Sequence, residues 1–389
     1  MQLGRAEAEA IARSGMAALQ AGRAAEARAA FQKVVDGGHR SAALWLLLAQ
    51  ACRLGGDEAA EARAVEQVLA LEPRNLRALL MKGDAFGRAG DTRAATSFYQ
   101  AALQAAAKAG PLPPGLQADL ERAEALTRQA GSGYVAHLEA ALARAGFGEE
   151  SRGERLQEAV DILFQKKQVY FQQPSAFYFP RLPQIQFYDR EAFAWAGAVE
   201  AATSAIRSEL LAVLADEGAF SPYVEAEADR PHQDFHGMLG DPSWSAFYLW
   251  KDGDRVGDNA ARCPETLAAL EAAPITRIRT RCPSILFSLL RPGAHIPPHN
   301  GMLNTRLICH LPLIVPPGCW LRVGNERRAW EEGRLLIFDD SFEHEAMNGS
   351  DQPRVILLFD VWRPELSEEE RRGVTAIFEA IDSFGAGPG

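Results

Sequence analysis

The sequence predicts a multidomain α+β chain: an N-terminal all-α helical solenoid followed by a jelly-roll β domain with flanking helices. Two observations carry that expectation. Glycines recur at Gly22, Gly56 and Gly90, an interval of 34 and 34, through a stretch rich in Ala, Leu, Arg and Glu. From about residue 230 the texture changes to short apolar runs separated by turn residues. At 389 residues the chain is also longer than one ordinary core absorbs.

Each repeat glycine follows one helical stretch and opens another: GRAAEA, GDEAAEA, GDTRAA. Within the period Trp45, Leu48 and Ala49 share a helix and Pro73 closes the unit. The next unit offers Leu79, Gly83 and Phe86, then Ala95 and Tyr99. Small residues let paired helices approach while large ones fill between them. The interval and the proline match the tetratricopeptide repeat, with an unrelated Ala-rich bundle as the alternative. This array is expected over residues 1–130.

GPLPPG at 110–115 interrupts the array, and a helical pattern then resumes to about residue 168. FQQPSAFYFPRLPQIQFYD reads as extended and loop-like. Residues 190–217 read as one long amphipathic helix with Phe193, Trp195, Val199, Ile206, Leu210 and Leu214 inward. Residues 131–225 are thus expected to form a helical linker and support region. Over 226–389 the runs SAFYLWKDG, ITRIRTRC, SILFSLLRPG, RLICHLPLIVPPG, CWLRVGN, RRAWEEG, RLLIFDD and RVILLFDVW suggest a sandwich or jelly roll. Gly324-Asn325 between two such runs signals a tight hairpin. Ser367 is placed to cap a closing helix.

A formal charge of −10 argues against nonspecific nucleic-acid or anionic-membrane binding, which want a basic face. Five scattered cysteines without a CxxC pair suggest neither a disulfide framework nor a zinc site. The first residues lack a signal-peptide core and no run approaches 18 apolar residues, so no membrane span and a cytoplasmic location are expected.

Four of the eight histidines, His295, His299, His310 and His344, lie beside strand-like runs of the β region. Histidines on separated jelly-roll strands can converge on one metal, as in non-haem iron sites. The usual carboxylate two residues after the first histidine is missing: Gly301 follows His299 and Pro297 follows His295. Asp339 and Asp340 could stabilise a turn or supply that carboxylate. His232 and His236 have HxxxH spacing, but Pro and Gly place them in a loop and the HExxH glutamate is absent. Trp244, Trp250 and Cys309 read as core. On these residues alone, a weak metal site and a plain jelly roll both stand.

The run RPGAHIPPHNGMLNTRLICHLPL, with WEEGRLLIFDDSFEHEAMNGS and RVILLFDVWRPELS, resembles the catalytic domain of the aspartyl/asparaginyl β-hydroxylases. The likeness is dense from about 230 to 365 and weaker back to about 170. An N-terminal tetratricopeptide array is a known companion of that domain. The resemblance implies a double-stranded β-helix oxygenase using iron(II), 2-oxoglutarate and O2, with glycine in place of the third ligand. It implies His299 and His344 as the metal ligands. His295 competes, but four extended residues span about 13 Å and Pro297-Pro298 forbids a helix, so His295 and His299 cannot share one ion. The resemblance, not geometry, selects His299. It further implies Arg354 and Ser288 on the far carboxylate of 2-oxoglutarate and His310 beside the cosubstrate, with a satisfied core histidine the alternative for His310. A guanidinium suits such a buried carboxylate.

Arg306 is the candidate for meeting a substrate carboxylate or amide, sharing a strand face with Ile308 and His310. The animal members carry a second arginine at the Ile308 position, so aspartate as substrate is in doubt. The implied reaction is β-hydroxylation of Asp or Asn in a peptide or protein, which the repeats would present. The alternatives are the same oxygenase chemistry on a lipid-linked or small-molecule substrate, and a non-catalytic repeat scaffold.

Overall fold

Three helix pairs begin the chain: α1 (Arg5–Gln20) with α2 (Ala24–Asp36), α3 (Ala42–Leu54) with α4 (Glu58–Leu71), and α5 (Leu76–Arg88) with α6 (Thr92–Ala106). The second helix of each pair starts at 24, 58 and 92, repeating the interval of 34. Gly22, Gly56 and Gly90 have φ of +73°, +72° and +80°, which ends the first helix of each pair cheaply only at glycine. The residue after each glycine donates back to a carbonyl five residues earlier: Arg23 to Ala18, Asp57 to Cys52, Asp91 to Phe86. Asp57 and Asp91 then cap the following helix through Ala60 N and Ala94 N. A small residue faces a large one at the same interval: Gly15 with Phe31, Ala49 with Val65, Gly83 with Tyr99. A Cβ at Gly15 would lie 2.9 Å from the Phe31 ring, and one at Gly83 would lie 2.5 Å from the Tyr99 ring. Phe31, Ala49, Val65 and Tyr99 are all buried. The helical repeat is therefore tetratricopeptide-like in its own geometry.

The computed structural model describes residues 3–226, 235–279 and 281–384. The chain divides into two compact units, Met1–Gln157 and Glu158–Gly389. Helix α7 (Pro114–Arg144) runs through residue 130, so the boundary expected there lies inside a helix of the first unit. Helix α8 (Glu154–Leu163) ends before residue 168, and an extended strap follows.

The second unit holds β1 (Phe187–Tyr188), α9 (Ala196–Ala201), α10 (Thr203–Leu214), β2 (Ser221–Pro222), β3 (Trp244–Lys251), β4 (Asp254–Arg255), α11 (Gly257–Ala261) and α12 (Pro264–Leu270). It continues through β5 (Ile285–Leu290), β6 (His295–His299), β7 (Arg306–Ile314), β8 (Cys319–Val323), β9 (Glu326–Ala329), β10 (Leu336–Phe338), β11 (His344–Asn348), β12 (Arg354–Trp362) and α13 (Glu368–Ser383). Two antiparallel sheets result, one in the order β1-β10-β7-β12-β5-β3-β2 with β4 on β3, the other β6-β11-β8-β9. This is the jelly roll with flanking helices. Gly324, at φ +55°, makes the two-residue turn between β8 and β9. Ser367 and Glu370 form a capping box on α13.

Two expectations change. The helix expected over 190–217 is broken into a 3-10 turn (Arg190–Ala192), α9 and α10. The Glu200 carboxylate binds Arg190 through two bonds and takes the Leu335 N–H, fixing the end of α9 to the sheet, and Thr203 Oγ donates to Glu200 O. ITRIRTRC forms isolated bridges, Ile275 with Val361 and Ile278 with Cys282, rather than a strand, because prolines at 274 and 283 bracket a tight turn.

Alternation along β7 and β12 decides what faces the site. Leu307, Cys309, Leu311 and Leu313, with Val355, Leu357, Phe359 and Val361, pack against Val199, Ile206, Leu210 and Leu270 of the covering helices. Their even-numbered neighbours Arg306, Ile308 and His310, with Arg354 and Asp360, therefore face the space between the sheets.

Candidate active site

Strand β6 meets β11 with His299 opposite His344, and the two rings lie 4.1 Å apart between centroids. The same short-range bond orients both: Nδ1 of His299 is 2.8 Å from Pro297 O, and Nδ1 of His344 is 3.0 Å from Phe342 O. A backbone carbonyl can only accept, so each ring carries its proton on Nδ1 and keeps a lone pair on Nε2. Burial, reinforced by the neighbouring His344, holds His299 down to about 3, and burial holds His344 down to about 4. Both imidazoles are neutral at physiological pH, the form that can ligate a metal. Phe235 stands edge-on to His299 at 5.1 Å.

His295 lies at the far end of β6 opposite Met347, and its Nε2 is 2.7 Å from Glu345 Oε2. It does not join the pair. His236 has φ +50° and lies in a loop, while His232 falls outside the described residues. Among the described residues no group of three or more His, Cys, Asp or Glu is arranged as a metal cluster.

Arg354 opens β12 and is 1% exposed. Among the described residues its side chain makes one hydrogen bond, a long one from Nη1 to Ser288 O at 3.4 Å, and its Nε has no partner. Burial lowers it to about 10, which leaves it charged. No carboxylate lies within ion-pair distance of it among the described residues. Leaving a buried cation without an anion costs several kcal/mol. Among the described residues, this buried guanidinium therefore has no anion to balance it. Trp330 lies against it, with Arg354 Cζ 4.9 Å from the ring centroid.

His310 bridges this cation and the histidine pair. Its ring lies 4.9 Å from that of Phe338, which in turn is 5.7 Å from His344. Trp330 Nε1 donates to His310 Nδ1 at 3.3 Å, so the His310 proton sits on Nε2. Burial, then the Arg354 charge, keeps His310 well below its ordinary value. Ser288 Oγ accepts from Trp244 Nε1 at 3.2 Å, which leaves its own proton to donate. Trp244, expected as core, is buried and also orients this hydroxyl. Reading the sequence missed both indole contacts. Trp330, in WEEGRLLIF, lies outside any named strand, and no periodicity shows where its N–H aims.

The two aspartates after β10 separate. Asp339 fulfils the turn expectation: its Oδ1 accepts from Ser341 N and Oγ, and its Oδ2 accepts from Arg363 and Gln172. Asp340 instead lies against Gly301, where a Cβ would overlap its carboxylate with Oδ1 at 2.8 Å and Oδ2 closer still. Burial raises Asp340 to about 6, and its Oδ1 has no partner. Arg306 lies between two such acids, with Nη2 3.5 Å from Asp340 and Nη1 3.4 Å from Asp360. Its charge is already faced by two carboxylates. Ile308 beside it is buried in an apolar wall with Phe338, Phe342, Leu290 and Ile296. Cys309 lies on the opposite face and is buried.

The family model of the aspartyl/asparaginyl β-hydroxylases matches residues 200–364. The chain is 41% identical over 174 residues to human aspartyl/asparaginyl β-hydroxylase, covering 44% of this chain and 21% of that one. It is 34% identical over 189 residues to the ornithine lipid ester-linked acyl 2-hydroxylase of Rhizobium tropici, covering 48% and 63%. It is 32% identical over 212 residues to human aspartate β-hydroxylase domain-containing protein 2, covering 53% and 55%. The chain thus spans between about a fifth and just under two thirds of these relatives. The segment matched holds Arg306, His310, Ser288 and Arg354 together with the histidine pair. Through residues 200–364, this chain is similar to the aspartyl/asparaginyl β-hydroxylase family.

Proposed function

We propose that the second unit is an iron(II)- and 2-oxoglutarate-dependent dioxygenase that hydroxylates the β-carbon of Asp or Asn in a peptide or protein. The observation that carries the reading is the unpaired, buried Arg354 joined through His310 to two neutral imidazoles with free Nε2 lone pairs. A metal and a dianionic cosubstrate answer both needs at once. Nε2 of His299 and of His344 would hold the iron. Arg354 and the Ser288 hydroxyl would take the far carboxylate, and His310 Nε2–H would donate to the cosubstrate. When bound, iron and 2-oxoglutarate supply the means of inserting an oxygen atom from O2 into an unactivated C–H bond.

The chain's own part is orientation and dryness. Pro297 O and Phe342 O hold the two rings, Trp330 holds the His310 tautomer, and Trp244 turns the Ser288 hydroxyl. The apolar wall of Leu290, Ile296, Ile308, Phe338 and Phe342 would exclude water from the reacting carbon. The test is succinate formation from 2-oxoglutarate by the iron-loaded full chain, with mass spectrometry for gain of one oxygen atom on Asp- and Asn-containing peptides. Absence of both cosubstrate binding and succinate would overturn it.

A second reading keeps the chemistry and changes the substrate to an acyl or small-molecule acceptor. Ile308 favours it, since an apolar side chain stands there and Arg306 beside it is already faced by Asp340 and Asp360. Oxygen gain on an acyl chain and not on peptides would select it.

A further inference from the structure

The ladder between the two strands that carry the histidine pair is irregular. His344 and Ala346, two apart on β11, stand opposite His299 and Ile296, three apart on β6. The extra residue lies at Pro297-Pro298, where neither residue has an N–H to give to β11. In a regular strand residues three apart face opposite sides of the sheet. The bulge is therefore what turns His299 to the same side as Ile296, which packs in the interior with Ala346, Leu321 and Val323. It also supplies Pro297 O, which holds the His299 ring. One histidine of the pair thus owes its inward aim to a stretch of β6 without backbone donors.

On the outer face of the same sheet, side chains make the connection. A carboxylate can only accept, so His295 Nε2–H donates to Glu345 Oε2, at 2.7 Å. Glu345 Oε1 accepts from Arg322 Nε. Arg322 Nη2 donates to Glu343 Oε1 at 2.9 Å, and its Nη1 to Gly324 O at 2.7 Å. Glu343 and Glu345 flank His344 in the chain. One guanidinium from β8 therefore grips β11 on both sides of that histidine, and Glu345 passes the hold across the bulge to β6. The Arg322 and Glu345 side chains are 18% and 15% exposed, so water competes little for these charged bonds.

We propose that His295 and Arg322 are positioning residues that fix the spacing of His299 and His344 through Glu345. The inference rests on the reading of that pair as metal ligands. His295, kept out of the pair by its place on the strand, acts on it from the opposite face of the sheet. An exposed ion pair alone would contribute little. Here it spans the stretch that the two prolines leave without backbone donors.

Co(II) titration of the metal-free full chain, followed by the d–d absorption of the bound ion, tests the inference apart from turnover. Arg322→Met and His295→Ala are expected to bind Co(II) about tenfold more weakly than the native chain, the usual loss for a residue that orients a ligand, with altered bands at saturation. His295→Gln, whose amide N–H can still reach Glu345, is expected to restore both. Val213→Ala loosens the core beneath α10 and touches neither strand, so it is expected to bind as the native chain does. The His295 side chain is 42% exposed, so its two variants carry the test even where Arg322→Met does not fold. Native affinity and bands in His295→Ala, an equal loss in Val213→Ala, or no recovery in His295→Gln would overturn the inference and leave the catalytic reading standing. No Co(II) bound by the native chain would remove both.

Discussion

Gly301 and Asp340 share one volume: the Cβ of any other residue at 301 would overlap the Asp340 carboxylate. The glycine two residues after His299 is therefore a packing requirement. Gly301→Asp, which restores the usual triad spelling, is expected to lower rather than raise metal affinity. Overpacking of this kind costs about 1–3 kcal/mol. A Mn(II) titration with thermal unfolding of the same variant checks it; tighter binding at unchanged stability would contradict the overlap.

Arg354 is a buried cation that meets no carboxylate among the described residues, so its removal should separate stability from binding. Arg354→Met is expected to unfold at the same or a higher temperature than the native chain without ligand, because it removes an uncompensated buried charge. Added 2-oxoglutarate should raise the unfolding temperature of the metal-loaded native chain and leave the variant unmoved. Differential scanning fluorimetry with and without cosubstrate measures both.

Trp330→Phe keeps a ring over Arg354 and removes the hydrogen bond to His310 Nδ1. With its tautomer no longer fixed, His310 should hold the cosubstrate roughly tenfold less tightly, in line with the usual loss of an orienting partner. Calorimetry of 2-oxoglutarate binding to the metal-loaded variant is the check, with circular dichroism to confirm the fold.

Protonation gives a fourth test. His299 and His344, lowered to about 3 and about 4, bind no proton in the folded state down to near pH 5, whereas the unfolded chain takes them up below about 6.5. Their contribution to stability is thus present above pH 6.5 and lost as pH falls toward 4. Asp339 and Asp340, raised by burial to about 6, act in the opposite sense: their contribution is present below about 3.9 and lost as pH rises through 6. The two pairs offset one another between about 4 and 6. NMR of the metal-free chain should find both rings as neutral Nδ1–H tautomers at pH 5.5; a titration near 6.5 would contradict the burial argument.

What the sequence disclosed was set by how local the signal is. The helical repeats were legible because a left-handed glycine, a cap and a small-to-large pairing recur at one interval, each fixed within a few residues. The Gly324 turn and the Ser367 cap are local in the same sense. The break near Ala202 was not legible, since Glu200 is held by Arg190 and by a backbone N–H at Leu335, more than a hundred residues away. Nor was the contact of Asp340 with Gly301, which depends on the register of β6 against β11. The two indole N–H bonds, to Ser288 and His310, likewise arise only when distant strands are laid side by side. Period-two alternation did place Arg306, Ile308 and His310 on one face, but it could not show that Arg306 meets two acids there.

Anaerobic titration of 2-oxoglutarate into the iron(II)-loaded full chain, followed by charge-transfer absorption, tests the central claim most directly. The account predicts one equivalent bound by the native chain, no band with His299→Ala or His344→Ala, and greatly weakened binding with Arg354→Met. A band of native strength and affinity in any of these three variants would contradict it.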